Sequence, residues 1–172
     1  YGAKIKAFEK NYKRAELMKE NLTRLKFNCE PKVQDIFEIK NEKFDLVILD
    51  APCSSIGTIR RHPEILYRKL TPDFKKITSI QKKMLEKAKT LLNKNGILIY
   101  IVCSFLHIEG KNQINKFLKN NKNFEIIKFI SKDKNKFKHL IDDRGFFYSV
   151  PSELKKNVLI DGFFSARLMK ND

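Results

Sequence analysis

Two thiols and an aspartate carry the most chemistry in this chain. Asp50 closes the apolar run Phe44–Leu49 and opens the string Asp50-Ala51-Pro52-Cys53-Ser54, while Cys103-Ser104 closes a second apolar run, Ile97–Val102. Glu9 and Asp35 hold the same place after two weaker runs, Lys4–Phe8 and Lys32–Gln34. Open parallel sheets bind ligands beyond the carboxyl ends of their strands. Three carboxylates and two thiols are therefore expected along one sheet edge. Singly, such residues mean little: a lone acid after a strand is ordinarily a cap, and a lone cysteine such as Cys29 is ordinarily a small hydrophobe. The pair is different. Neighbouring strands run about 4.8 Å apart, so adjacent placement of the two strong strands brings both thiols to one pocket, and Pro52 stiffens the backbone just before Cys53.

A thiol pair beside a carboxylic acid suits covalent activation of an electron-poor ring. Carbon 5 of cytosine is a weak nucleophile; thiolate addition at carbon 6 makes it enamine-like and able to attack a sulfonium methyl. An acid hydrogen-bonded to ring nitrogen 3 and the exocyclic amine would stabilise the charge pushed into the ring. A base must then take the carbon 5 proton and the first sulfur must leave. The residues alone do not say which cysteine attacks.

The elements that must position these groups alternate short apolar runs with longer helical patterns, as β-α-β units do. Tyr12–Lys26 sets Ala15, Met18, Leu22 and Leu25 on one face, with Glu20 four residues before Arg24, and is expected helical. Phe44–Leu49 is apolar enough for both its faces to be covered. The loop at 50–70 is long for a compact domain, as functional or mobile loops are. Thr71-Pro72 offers an N-cap and a first-turn proline to a helix whose inner face carries Phe74, Ile77, Ile80, Met84, Ala88 and Leu91. Asn95-Gly96 tolerates left-handed backbone and is expected to end that helix. Ile97–Val102 is then a strand, Glu109–Asn120 a helix, Phe124–Ile130 a strand and Gly162–Leu168 the last strand. Phe146, Phe147, Phe163 and Phe164 read as core rather than a base-stacking platform.

The 172 residues are 42% hydrophobic with 14 Phe, which suits one domain with a core and argues against disorder. No apolar run approaches the roughly 20 residues of a membrane helix, and no secretory signal opens the chain, so a reduced, cytoplasmic protein is expected. Three cysteines without a Cys-x-x-Cys pair make neither a disulfide framework nor a zinc site, and no metal is expected. Lys+Arg total 36 against 20 Asp+Glu, a formal charge of +16, which suits a polyanionic partner such as nucleic acid. The abundance of Lys and Asn also follows from AT-rich coding, so the charge is a weak pointer. Arg60, Arg61 and His62, inside the long loop, are candidates for RNA phosphate contacts; the plain alternative is a solvated loop. The chain starts at Tyr1, not Met, and enters an element at once, as a piece of a longer protein would.

Asp50–Ile65 (DAPCSSIGTIRRHPEI), Cys103-Ser104 and the terminal GFFSARL together resemble the Sun-type RNA cytosine-5 methyltransferases, from Glu9 to about Arg167. The Arg-Arg-His-Pro segment resembles the branch acting on ribosomal RNA. The resemblance implies an α/β, Rossmann-like methyltransferase fold with a mostly parallel sheet and an antiparallel last strand, S-adenosylmethionine as methyl donor, and RNA, in that branch 16S ribosomal RNA, as partner. It also implies roles: Cys103 as nucleophile, Cys53 as the second cysteine that resolves the adduct, and Asp50 as the acid between donor and base. Glu9 would grip the donor ribose, and Asp35 would lie near its adenine.

Departures are visible. Val102 stands where the family has Thr, and Leu106-His107-Ile108-Glu109-Gly110 where it commonly has Leu-Pro-Glu-Glu-Asn. The family's first strand and its Ala-Pro-Gly-Gly-Lys loop, which should precede Glu9, are missing from the chain. That strand lies mid-sheet, so the strands ending at Glu9 and Asp50 are expected to lose a shared partner. Residues 1–172, as an N-terminally truncated catalytic domain, are expected neither to bind donor well nor to turn over alone. An RNA-binding domain before Tyr1 fits the same resemblance. Two other readings compete: an inert RNA-binding remnant of such an enzyme, and a thiol hydrolase using Cys103 and His107, which leaves Asp50, Cys53 and the strand-end acids without use. His139 has no evident role.

Overall fold

The computed structural model describes residues 2–68, 71–129, 137–155 and 158–171. The chain divides into two compact units, residues 1–42 and 43–172.

In the first unit β1 (Phe8–Glu9) and β2 (Lys32–Val33) pair in parallel around helix α1 (Tyr12–Arg24). α1 starts where Asn11 accepts the Arg14 N–H at 3.1 Å, satisfying a first-turn donor. It ends where Phe27 N–H reaches the Leu22 carbonyl and Lys26 N–H the Thr23 carbonyl, with Lys26 in the left-handed position that glycine usually takes. The expected strand at 4–8 shrinks to β1. Among the described residues β1 and β2 pair only with each other, so Glu9 and Asp35 stand on a different sheet from Asp50. The single edge of five groups read from the sequence is thus two edges among the described residues.

The second unit is built on five strands, β3 (Phe44–Asp50), β4 (Leu92–Val102), β5 (Phe124–Ile126), β6 (Phe147–Ser149) and β9 (Phe163–Lys170), in the order β3-β4-β9-β5 with β6 also on β9. β3 and β4 are parallel. β9 runs antiparallel to β4 on one side, and its other side is shared end to end by β5 and β6. The last strand alone is reversed, as expected. β7 (Ser152–Lys155) and β8 (Val158–Ile160) form a separate antiparallel pair that no sequence signal had marked.

Alternation along β4 and β9 explains the core. Leu98, Tyr100 and Val102 lie opposite Leu168, Ala166 and Phe164, all fully or almost fully buried. Helix α2 (Phe74–Thr90) packs on β3 and β4 and against α3 (Lys111–Asn120), contributing Leu85 and Ala88, with Ile114 and Phe117 from α3. Each large aliphatic side chain so buried contributes about 1.5–3 kcal/mol. Phe146 and Phe164 stack in this core, 5.4 Å between centroids.

Four expectations are corrected. The cap of α2 is Asp73, whose carboxylate accepts the Lys76 N–H at 2.9 Å, rather than Thr71. α2 stops at Thr90, and Asn95-Gly96 forms instead a bulge within β4, where the register against β3 shifts between Phe44 and Leu46. The left-handed backbone foreseen at Asn95 is present, but it serves the strand. β3 is not covered on both faces: Leu46 and Ile48 are 48% and 61% exposed while Leu49 is buried, because α2 lies on the Leu49 side. β5 ends at Ile126, and Ile130, the expected end, is outside the described residues. No helix among the described residues is long and apolar enough to cross a membrane.

Candidate active site

β3 and β4 run in register with Asp50 opposite Ile101, so their carboxyl ends emerge side by side. The ladder continues one residue further, Ala51 N–H donating to the Ile101 carbonyl at 3.0 Å, before Pro52 turns the chain away. Gln81 of α2, fully buried, donates to the Pro52 carbonyl at 2.9 Å, and Arg68 donates to the Ser54 carbonyl at 2.8 Å. The next single 3-10 turn, Ile56–Thr58, is laid on the backbone after β4: Gly57 N–H donates to the Cys103 carbonyl at 3.1 Å, and the Gly57 carbonyl accepts Gly162 N–H at 2.8 Å. A Cβ at Gly57 would stand 1.8 Å from the Gly162 oxygen, so only glycine allows this approach.

These constraints bring Cys53 Sγ to 3.2 Å from Cys103 Sγ, both side chains half-buried and reduced. The Ser55 hydroxyl lies 3.5 Å from Cys103 Sγ. Ser55 holds a left-handed backbone, φ 59°, which costs a non-glycine residue about 1–2 kcal/mol. Two sulfurs this close can hydrogen-bond to one another. The S–H of Cys53, donated to Cys103, pulls the Cys103 thiol down to about 6; the Ser55 hydroxyl helps, while burial and the Asp50 carboxylate oppose. The same bond, then burial, then the negative charges of Cys103 and Glu109 push the Cys53 thiol far up. Both shifts, down at Cys103 and up at Cys53, favour Cys103 as the more readily ionised of the two. Asp50 is open to solvent along one side, while the protein packed against the other raises its carboxyl above the usual range.

Glu109 was not foreseen as part of this site. It is fully buried, and its carboxylate accepts Ser54 N–H at 2.7 Å, Ser54 O–H at 2.6 Å and Ser104 O–H at 2.6 Å. Drawn into that contact, it lies in the turn before α3 rather than in the helix it was expected to start. The available signal was the repeated pair, Cys53-Ser54 and Cys103-Ser104. Gln81 and Arg68 had no signal, because their partners are main-chain carbonyls.

The remaining candidates sort as follows. Glu9 and Asp35 follow the paired strands β1 and β2 at the same end of their sheet. Glu9 accepts the Asn11 N–H through one oxygen at 2.8 Å, and Asp35 accepts the Phe37 N–H at 3.1 Å, leaving each carboxylate a second oxygen for a hydroxyl or amine donor. Arg60 and Arg61 both pair with Asp161, whose side chain is buried, Arg60 at 3.1 Å. They are thus tethered rather than loose in a solvated loop. His62 is exposed beside Glu64 at 3.0 Å. The His107 ring packs on Tyr148, 5.7 Å between centroids, while the sulfur of Cys103 meets Cys53 and Ser55. The hydrolase pairing accordingly has no imidazole on its nucleophile. His139 is exposed.

Known proteins share this arrangement of elements. The family model described as 16S rRNA methyltransferase RsmB/F matches residues 2–169. Ribosomal RNA small subunit methyltransferase B of Serratia proteamaculans (strain 568) is 30% identical over 154 residues, 86% of this chain and 36% of that protein. The chain thus spans about a third of the length of the curated relatives it matches. The solved structure of PH0851 superposes with a TM-score of 0.82 at 28% identity, covering 98% of this chain and 37% of that one. NSun6 from Pyrococcus horikoshii, solved with SFG, shares the fold at 20% identity and a TM-score of 0.75, covering 99% and 42%. The mixed α/β arrangement is Rossmann-like, as these methyltransferases are.

Proposed function

Because the chain belongs to the 16S rRNA methyltransferase RsmB/F family, we propose that it forms the catalytic part of an enzyme that methylates carbon 5 of a cytosine in RNA, 16S ribosomal RNA by family, through a covalent bond to Cys103. The observation that carries this reading is the 3.2 Å sulfur pair at the adjacent ends of β3 and β4. An isolated structural thiol needs neither a donor to its sulfur nor a strained serine beside it.

The chemistry follows from the chain's own groups. The Cys103 thiolate adds to carbon 6 of the ring, forming a carbon–sulfur bond and pushing the carbon 5–carbon 6 π electrons toward nitrogen 3. Asp50, acting as the acid, donates a hydrogen bond to nitrogen 3 and stabilises that charge. S-adenosylmethionine supplies an electrophilic methyl when bound. In the first unit Glu9 would hold the ribose hydroxyls of such a molecule and Asp35 would take its adenine. After methylation a solvent base takes the carbon 5 proton, the freed C–H electron pair re-forms the carbon 5–carbon 6 double bond, and the carbon 6–sulfur bond breaks, releasing Cys103 as thiolate. Cys53, whose sulfur neighbours the departing one, assists this collapse. Arg60 and Arg61 contact RNA phosphates from their anchored position. An inert RNA-binding remnant would have no use for an assembled thiol pair.

Trapping tests the reading in the protein's full chain. RNA containing 5-azacytosine, which cannot release the enzyme after methyl transfer, should form a covalent adduct that Cys103→Ala abolishes. Cys53→Ala should let an adduct with ordinary RNA accumulate. If an adduct survives Cys103→Ala, the assignment is wrong.

A further inference from the structure

What keeps two cysteines of the same type, 3.2 Å apart, from exchanging roles? The answer has to come from a group that treats them unequally, and Glu109 is one. Its carboxylate sits behind both loops, tied to the residue that follows each cysteine: Ser54 by main-chain N–H and hydroxyl, Ser104 by hydroxyl. Each hydroxyl is oriented by its own loop, Ser54 Oγ accepting Ile56 N–H at 3.4 Å and Ser104 Oγ accepting Leu106 N–H at 3.2 Å, so both protons point at Glu109. The main chain of Glu109 is fixed in turn by the hydroxyl of buried Tyr100, which donates to its carbonyl at 2.7 Å. Three donors on two oxygens satisfy a carboxylate with no water present.

We propose that Glu109 is a positioning residue that clamps the two cysteine loops at a fixed spacing and, by its buried charge, keeps the shared thiol proton on Cys53, so that Cys103 is the sulfur that attacks. This rests on the reading of Cys103 as nucleophile. The asymmetry is in the geometry: Glu109 takes two bonds from the Cys53 loop, main chain included, and one from the Cys103 loop. Its negative charge adds, after the larger effects of Cys103 and of burial, to what opposes ionisation of Cys53, whereas the Ser55 hydroxyl lies 3.5 Å from Cys103 Sγ. The other charged or titratable groups facing the pair are Asp50, which acts on Cys103, Tyr100, which faces Cys53, and Arg68, on the Ser54 carbonyl. None of these touches both loops.

The test is alkylation of the whole chain by iodoacetamide across pH 5–10, with Cys53 and Cys103 separated by peptide mass mapping, and without RNA or donor. In the parent protein Cys103 should react first. If Cys53 does, the assignment of the nucleophile fails and with it the function proposed above. Given that preference, Glu109→Gln keeps size but removes the charge, and the Cys103:Cys53 labelling ratio at pH 7 should fall. Glu109→Asp, which restores charge, should recover most of the ratio even if its melting temperature is lowered. A ratio and pH inflection unchanged in Glu109→Gln would overturn the proposal while leaving the nucleophile in place. Should Glu109→Gln not fold, the Ser54→Ala/Ser104→Ala double variant removes both hydroxyl ties and leaves Glu109 only the Ser54 main-chain N–H; it must also lower the ratio, and an unchanged ratio there overturns the proposal equally.

Discussion

The proton shared by the two thiols makes a quantitative prediction for Cys53→Ala. The substitution deletes the S–H donor that lowers Cys103, the largest influence on that thiol. A hydrogen bond to a charged group is worth about 1.5–3 kcal/mol, and about 1.4 kcal/mol is one pKa unit, so loss of the bond alone would raise Cys103 by about 1–2 units. Ser55 remains, and water entering the gap left by the missing sulfur relieves some desolvation. The lower part of the range is therefore expected, from about 6 to roughly 7–7.5. A single rate at pH 7 would conceal this. The thiolate fraction falls from about nine-tenths to about one-third, while each remaining thiolate becomes about fourfold more nucleophilic by the Brønsted relation, so the two changes nearly cancel. The assay is accordingly the full pH profile of iodoacetamide labelling at Cys103, with Cys29 and Cys53 resolved by peptide mapping. An upward shift of the inflection by about one unit is the expected outcome. An inflection that stays in place or moves down would refute the shared-proton argument.

The remaining predictions concern the loop that carries Cys53. Gly57→Ala places a methyl group 1.8 Å from a backbone oxygen that no rotamer change can move; a cost of about 3 kcal/mol is expected, read as a melting-temperature fall of roughly 6–12 °C. An unchanged melting temperature would mean the two backbones do not touch. Arg60→Ala/Arg61→Ala should weaken RNA binding and flatten its salt dependence, but by less than the roughly 0.7 per phosphate contact of free cations on a single strand, because buried Asp161 already neutralises part of their charge. Filter binding across a salt series decides this, and an unaltered slope takes both arginines out of the interface.

The chain order alone determined the strong elements and the chemistry at their ends. FDLVIL and ILIYIV are strands because continuous apolar, β-branched runs have no other stable use, and the residue after such a run in an α/β protein is where ligands gather; Asp50, Cys53 and Cys103 were legible for that reason. The reversal of the last strand came from the family resemblance and holds in the sheet. The tertiary structure decided everything set by long-range contact. Local propensity made Asn95-Gly96 look like the end of a helix, whereas pairing with β3 turned the same left-handed residue into a bulge. It made Glu109 look like the first residue of an amphipathic helix, whereas two serines separated by 50 positions drew its carboxylate inward. Which cysteine bears the charge is likewise not written in the chain order, because a proton between two chemically identical groups goes where the surrounding hydrogen bonds and buried charges send it, and those come from residues far apart in the chain.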